Sequence, residues 1–598
     1  MLAGAVVLLV VPFVVALVVL HDPRWYPALE LAQTELHVRD VGTGHTPLTG
    51  LVGRLGSPGQ RGSHPGPLAF FALAPVYRLA GSSPWALQMA TVVLHLSAIA
   101  VALWIAYRRA GMRLLLLTAA VLTTLLRFYG PSLLTEPWNP YLPMLWWVVF
   151  LLAVWSVLED DLALLPVAVV SGSLCAQTHI SYLGLVGGLG AVAAATVAVR
   201  HFRRRRRGSA PGRTWTWVAL ATAVGAVLWL PPVLDEMKHD PGNLSVLADY
   251  FASSTEDPIG LRRAAELLVA NLDPWRLLFG HAEGKVVTDP PPWSTGGLLF
   301  LGAWTAAIVV AWRLRLQLLL RLHTVLGVAL AFGAVSLSRV YGYPWAWLVQ
   351  WVWGLTALLA VVVAWTFGCA ARQRLTGSRA RVRLRAGAII GLAVVALGST
   401  IASAGTAARV EPDDVTSSRA LRRLAPATVR YLEGRSGPSR GGHGRYLVAV
   451  TDPVGVIGAL QAFGLVNELD REGIEVGIER HEKLRAAPYL TMDRARATAV
   501  LRVVTGPAIE VWKEKTGSRL IARYDPRTSG QRALQERLRR EIEAELRTLG
   551  LAELIAQLEN SFLVSFVFDR DPRIPKDLTA KMSRSLELGA PSAVFLEE

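Results

Sequence analysis

Apolar positions along the chain gather into long unbroken blocks up to about residue 405 and then give way to short alternating and helical patterns. A bilayer core takes about 20 apolar residues per helix. Eleven blocks meet or approach that length: Leu2 to Leu20, Pro84 to Ala106, Arg113 to Leu126, Pro143 to Leu158, Leu162 to Gln177, Leu183 to Val199, Trp215 to Val233, Gly296 to Trp312, Leu322 to Leu337, Trp345 to Phe367 and Ala386 to Ala404. Alternating sides from a cytoplasmic N-terminus puts Arg108-Arg109, Arg203 to Arg207, Arg313 to Arg321 and Arg372 to Arg385 on one face. Four basic loops on one side satisfy the positive-inside bias. The apolar stretch Pro67 to Ala80 is short and interrupted by Pro75 and Arg78. Counting it as a span would turn the later basic loops outward, so it reads as a helix lying at the outer interface. A signal peptide is the other reading of the first block, which lacks a basic n-region and a clear small-residue cleavage site; its removal would leave the downstream topology unchanged.

The pattern changes abruptly at Arg409 to Asp414. Beyond it, Tyr446 to Val450 reads as a buried strand stopped by Asp452-Pro453, Val454 to Arg471 as a helix, Ile474 to Ile478 and Ala499 to Val504 as strands, and Gln531 to Leu549 as a charged helix. The expected architecture is an α-helical polytopic membrane domain over 1–405, with about 11 transmembrane helices, followed by an extracytoplasmic soluble α/β domain over 406–598. Nothing in that second domain forms a nucleotide loop, a metal-ligand cluster or a catalytic triad, so a binding or packing module leads.

Composition supports the membrane reading: 598 residues that are 52% hydrophobic and only 18% charged do not make a set of soluble domains. The net charge of +16 would suggest nucleic acid in a soluble protein. Here the basic residues sit in short loops between apolar blocks and report orientation instead, so no nucleic-acid partner is expected. Cys175 and Cys369 fall at the ends of apolar runs and cannot build a disulfide framework.

Candidate chemistry lies in the loops expected outside. Glu30, Glu35 and Asp40 follow the first block. A carboxylate beside low-dielectric lipid holds its proton more tightly and serves as a general base when a cation or hydrogen bonds keep it ionised. A solvated amphipathic helix is the ordinary alternative for each. In the next outer loop, Glu136 sits on a stretch stiffened by Pro137, Pro140 and Pro143, with Asn139 beside it and with Trp138 and Tyr141 able to stack on a sugar or to sit at the lipid interface. A third loop carries Gln177, His179 and Tyr182, and a fourth Asp235, Glu236, Lys238 and His239. A lone histidine at a helix end is most often a hydrogen-bonded structural residue, and the fourth loop reads equally well as a helix stop with a solvated turn. Arg78, Arg127 and Arg339 lie outside against the inside bias; a bound phosphate or anionic lipid headgroups would each satisfy them.

Set on this architecture, Glu35-Leu36 with Arg39-Asp40-Val41-Gly42, His64-Pro65-Gly66-Pro67, Trp138-Asn139-Pro140, and Leu230-Pro231-Pro232 followed by Pro241-Gly242-Asn243-Leu244 resemble the GT-C superfamily of membrane glycosyltransferases, in the style of an actinobacterial branch related to arabinosyl- and mannosyltransferases. The likeness covers roughly the first 400 residues. It implies a polyprenyl-phosphate-linked sugar donor and, as acceptor, a cell-envelope glycan, lipid or protein. It also implies an outer-loop carboxylate that takes the proton of the attacking hydroxyl while the lipid phosphate leaves, normally with inversion.

The superfamily often places an Asp or an Asp-Glu pair soon after the first span; Glu30 holds the matching place here, with Glu35 and Asp40 following. The resemblance therefore implies Glu30 or Asp40 as base with Glu35 as a further candidate, and Glu136 as an acid that orients the acceptor or helps hold a divalent ion, Mg or Mn. It gives Arg127, Arg339 and Arg78 to the donor phosphate, and His64, Trp138, Asn139 and His179 to substrate. It further implies a multi-pass protein of the plasma membrane with its C-terminal domain outside. The metal requirement stays open, as do the sugar and the acceptor. Two other readings stand beside this one. A transporter or flippase should carry ionisable groups near the midplane, where His95 is the clearest instance. A non-catalytic platform displaying the C-terminal domain would leave the outer-loop acids dispensable.

Overall fold

In lipid every backbone N–H and C=O must be satisfied within its own segment, so the long apolar blocks fold as helices. The computed structural model describes residues 2–56, 61–207, 214–254, 256–282, 293–374, 378–412, 414–435, 444–450, 456–479, 488–558 and 571–598. Two compact units divide the chain: Met1–Asp22 with Thr46–Glu411, and Pro23–His45 with Pro412–Glu598.

The first unit is helical. Each of the eleven apolar blocks lies in a helix: Leu2–His21, Pro84–Thr135 (two blocks), Met144–Leu158, Leu165–Thr178 with the short turn Leu162–Leu164 before it, Leu183–Arg206, Thr214–Lys238, Thr295–Arg313, Gln317–Ser338, Trp351–Arg374 and Ser378–Ala407. Among the described residues, eight helices are long and apolar enough to cross a membrane, and three shorter apolar helices accompany them. The protein is a multi-pass membrane protein. The 52-residue helix Pro84–Thr135 breaks at Ala110 and Gly111, just after Arg108-Arg109, which is why the pattern reads as two spans. Gly111 has φ 66 and ψ −158, a backbone state that an L side chain avoids. Pro67 to Ala80 forms the helix Leu68–Leu79.

One end of this bundle is neutralised by an acidic turn. Asp161 accepts from Arg108 at 2.6 Å and from Arg109 at 2.6 Å, Glu159 from Arg321 at 2.8 Å, and Asp160 from Arg204. Three loops expected on one side therefore meet at that end.

The second unit is α/β. Five strands, β1 Tyr446–Val450, β2 Val476–Ile478, β3 Ala499–Thr505, β4 Ser518–Tyr524 and β5 Ser592–Glu597, make a sheet of order β2-β1-β3-β5-β4. β1 pairs parallel with β2 and β3, with Tyr446 opposite both Val476 and Ala499, while β5 runs antiparallel to β3 and β4. Helix Val456–Arg471 supplies the crossover that parallel neighbours need. The expected helix start at Val454 and the Asp452-Pro453 stop lie outside the described residues. Strands β4 and β5 and the helices Val415–Arg435 and Lys576–Glu587 add to the elements read from the pattern.

This unit also contains helix Leu29–Asp40, which the division at 405/406 had put with the membrane domain. Ala32 and Leu36 of that helix are buried in the same apolar core as Leu421 and Leu424 of the 415–435 helix, Phe463 and Val466 of the 456–471 helix, and Val448 and Leu501 of the sheet. Gly464 permits the approach, since a Cβ there would lie 2.8 Å from the Pro27 carbonyl oxygen and would overlap Leu421.

Candidate functional site

The three candidate carboxylates after the first span have different fates. Glu35 has no exposed surface and sits in an ion pair with Arg471, while Asn467 Nδ2 donates to its other oxygen at 2.8 Å. One helical turn on, Arg39 donates to Asp470 at 2.6 Å and to Asn467 Oδ1 at 3.1 Å. Arg24 pairs with Glu468, which Arg471 Nε also approaches at 3.5 Å. Buried charge is tolerated only when paired and hydrogen-bonded. Glu35, expected among the catalytic carboxylates, is held in that ion pair away from solvent. Glu30 is half-buried in the first turn of its helix.

Asp40, the last residue of the helix, is also half-buried. Its carboxylate accepts the phenolic O–H of Tyr489, whose ring stacks on His45 with centroids 4.1 Å apart and planes 21° apart. Burial raises the proton affinity of Asp40. The Tyr489 hydrogen bond works against that rise, the charge of Asp470 adds to it, and those of Arg39 and His45 oppose it. Burial, the Asp40 charge and that same hydrogen bond all push the Tyr489 phenol up, so it stays protonated and donates.

In the membrane unit, three loops singled out in the sequence meet. Ser63 N donates to Asn243 Oδ1 at 2.7 Å, and Asn243 Nδ2 returns a bond to Ser63 O at 3.1 Å. Asp235 Oδ2 fixes the Asn243 backbone N–H at 3.0 Å. His64 Nδ1 accepts from Ile180 N at 3.2 Å, and its ring stacks on His179 at 4.7 Å. His179 Nδ1 accepts from Ser181 N at 3.4 Å. Gly66 N donates to Gln177 O at 3.1 Å, in a gap that a Cβ would fill with Gln177 side-chain atoms. Burial first, and then His64, lowers the proton affinity of His179. Both rings therefore carry their proton on Nε2, a tautomer assigned from the Nδ1 bonds.

Glu136 is 7% exposed and follows directly on the Pro84–Thr135 helix. Trp138 is buried edge-on against Tyr141 at 4.9 Å and Trp347 at 5.2 Å, and Trp347 stacks on Trp345 at 4.7 Å. Asn139 is buried beside it. Arg127, expected on a phosphate, instead donates from Nη2 to the carbonyls of Leu278 and Gly280, both at 2.7 Å, and pins the turn they form. Arg339 is exposed, donates to Phe251 O at 3.1 Å and lies 5.9 Å from the centre of the Tyr341 ring; Arg78 is exposed on helix Leu68–Leu79. His95 is fully buried, and neither ring nitrogen has a hydrogen-bond partner among the described residues. No group of three or more His, Cys, Asp or Glu side chains able to hold a metal ion lies among the described residues.

Tyr489, Arg471, Asn467 and Asp470 were not read from the sequence. The signal was there in principle: Asn467, Glu468 and Arg471 interrupt an apolar helix at i, i+1 and i+4, and polar residues on a buried face call for partners of opposite sign elsewhere in the chain.

The fold joins an apolar helical unit and an α/β unit in one chain, and comparison with solved structures finds it elsewhere. The structure of ArnT from Cupriavidus metallidurans bound to undecaprenyl phosphate shares it with a TM-score of 0.51 at 13% identity, over 87% of this chain and 96% of that one. The apo state of the same protein gives 0.50 at 14% identity, over 87% and 96%. The archaeal oligosaccharyltransferase AglB from Archaeoglobus fulgidus, in complex with an inhibitory peptide and a dolichol-phosphate, is less similar, at TM-score 0.39 and 11% identity over 83% of this chain and 69% of that one. No family model matches the sequence, and no curated protein does. The likeness to ArnT is one of fold.

Proposed function

We propose that this protein is an integral-membrane glycosyltransferase that moves a sugar from a polyprenyl-phosphate-linked donor to a hydroxyl of an extracytoplasmic acceptor in the cell envelope. Asp40 carries the reading. Of the two helix carboxylates whose local bonds the structure details, it is the one with solvent access, and its proton affinity is raised toward the range in which a base works at neutral pH. The ligand class comes by analogy from the fold, since the ArnT structure that shares it holds undecaprenyl phosphate.

In this reading Asp40 takes the proton of the acceptor hydroxyl as that oxygen attacks the anomeric carbon. The bond from that carbon to the lipid phosphate breaks, and polyprenyl phosphate leaves carrying the electron pair. Charge developing on the leaving phosphate needs donors aimed at it. The loop motifs of the membrane unit offer His64, His179, Arg78 and Arg339 as candidates for such donors. The same motifs offer Glu136, Trp138 and Asn139 as candidates for binding the acceptor. Glu30 is the second candidate for the base. The finer placement among arabinosyl- and mannosyltransferases of actinobacterial type, in the plasma membrane with a cytoplasmic N-terminus, rests on the loop motifs.

The test is release of polyprenyl phosphate from labelled short-chain polyprenyl-phosphate sugars, arabinosyl and mannosyl, by membranes containing the full chain. Asp40→Asn is expected to lower release about 10²- to 10⁴-fold, the usual contribution of a general base, with the amount of folded protein unchanged. Undiminished release by Asp40→Asn would remove Asp40 from the reaction. Failure of the wild-type protein to release polyprenyl phosphate from any such donor would remove the donor class.

A further inference from the structure

The C-terminal α/β unit showed no chemistry of its own in the sequence, yet one of its side chains touches the residue to which the reaction is assigned. We propose that Tyr489 is a positioning residue for Asp40, holding the carboxylate in its working orientation through the phenolic O–H and setting the pH above which it acts as a base. This rests on the reading of Asp40 as the base.

The geometry is specific. Tyr489 lies in the short turn Pro488–Leu490, Thr491 next to it bridges to Ile478 at the end of β2, and the sheet thereby fixes where the phenol stands. Its ring stacks on His45, five residues beyond Asp40, only 21° from parallel. The hydroxyl donates to Asp40 Oδ2. Tyr489 therefore reaches both ends of the segment that follows helix 29–40, and nothing about ring packing alone requires its hydroxyl to meet that carboxylate. The charged and titratable groups facing Asp40 are Tyr489 and Asp470 from the C-terminal part of the unit, and Arg39 and His45 from its own segment.

The sign follows directly. A donor to a carboxylate favours the ionised form, so Tyr489 holds the proton affinity of Asp40 below the value that burial and Asp470 would otherwise give it. The phenol keeps its own proton, because burial and the neighbouring carboxylate both raise its affinity. It is a donor throughout the working range. Removing the hydroxyl must move the acid limb of the activity profile to higher pH.

The experiment compares wild-type, Tyr489→Phe and Asp40→Asn full-length proteins in membranes, following polyprenyl-phosphate release against pH from a labelled donor the wild type accepts. Tyr489→Phe is expected to move the acid limb up by about one pH unit, giving a roughly tenfold loss below the limb and less than about a threefold loss well above it. A limb that stays in place, or a loss equal at every pH, overturns the proposal. As a second measurement that keeps the hydroxyl, 3-fluorotyrosine incorporated at position 489 is a more acidic donor and should move the limb downward; no movement overturns the proposal as well. The two failures are distinguishable: an active Asp40→Asn defeats the base assignment, whereas an inactive Asp40→Asn with an unmoved Tyr489→Phe limb defeats only the role of Tyr489.

Discussion

At the scale of single residues, the segment after the first span shows how environment separates side chains that look alike in a sequence. Glu35 and Asp40 are five residues apart, which at about 100° per residue places them about 140° apart around the helix. One enters the core and the other keeps solvent access. Sequence spacing identified the set of acids without saying which face is covered, because the covering helix lies more than 400 residues further on. Removing one member of a buried pair leaves the other charge desolvated, at a cost of about 3–5 kcal/mol. Glu35→Ala should destabilise this unit by that much in thermal unfolding, while Glu35→Leu combined with Arg471→Met should recover most of the loss. His37 offers a pH test. Burial lowers its pKa to about 4, so its neutral form is favoured in the fold. Its contribution is complete above the unfolded value of about 6.5 and is lost as pH falls toward 4, by about 3 kcal/mol. Glu468, whose carboxyl is pushed up by burial, acts in the opposite sense. Comparison with His37→Gln isolates the histidine: the variant should show the smaller fall in melting temperature between pH 6.5 and 4.

At the scale of elements, the spans were legible because a run of apolar residues long enough for a bilayer has few other uses. Even the break at Ala110-Gly111 was visible as the arginine pair beside it. Within the α/β unit, β1 was readable as a buried run and β2 by its alternation, whereas β4 at a sheet edge buries only one of its seven residues and β5 is buried almost throughout, so neither carries a strong alternating signal. Helix 415–435 has a polar average composition that hides its apolar stripe. The close crossing of helix 456–471 with the Pro27 backbone was not legible at all, since a glycine inside a helical pattern announces a contact without naming the partner. Gly464→Leu should therefore release the 23–45 segment while leaving the sheet formed. Hydrogen exchange would show it as lost protection in helix 29–40 with strands β1 and β3 still protected; unchanged protection of that helix would contradict the packing described here.

At the scale of the whole molecule, the chain order and the folding units do not coincide. The second unit is built from residues 23–45 and 412–598, so a boundary drawn at a change of composition finds only its larger part. Composition reports solvent, and a single helix does not shift it enough to be noticed. Expressed alone, 412–598 should be poorly soluble and rich in exchange-labile helix 456–471, because Asn467, Glu468 and Arg471 would lack Glu35, Arg39 and Arg24. Joining residues 23–45 to it through a flexible linker should restore a cooperative melting transition. If the isolated 412–598 fragment already melts cooperatively at the same temperature, the early segment is dispensable to the unit.

This split ordering has a consequence for how the protein is made. Helix 29–40 leaves the ribosome about 430 residues before the partners of its buried charges follow. At roughly 5–20 residues per second, that is an interval of about 20–90 s. Throughout it Glu35 and Arg39 await their counter-charges while the membrane helices are being inserted. A holding factor on the side of the bilayer where this segment emerges, or a quality-control protease there, would have its clearest target in that early stretch of nascent chain.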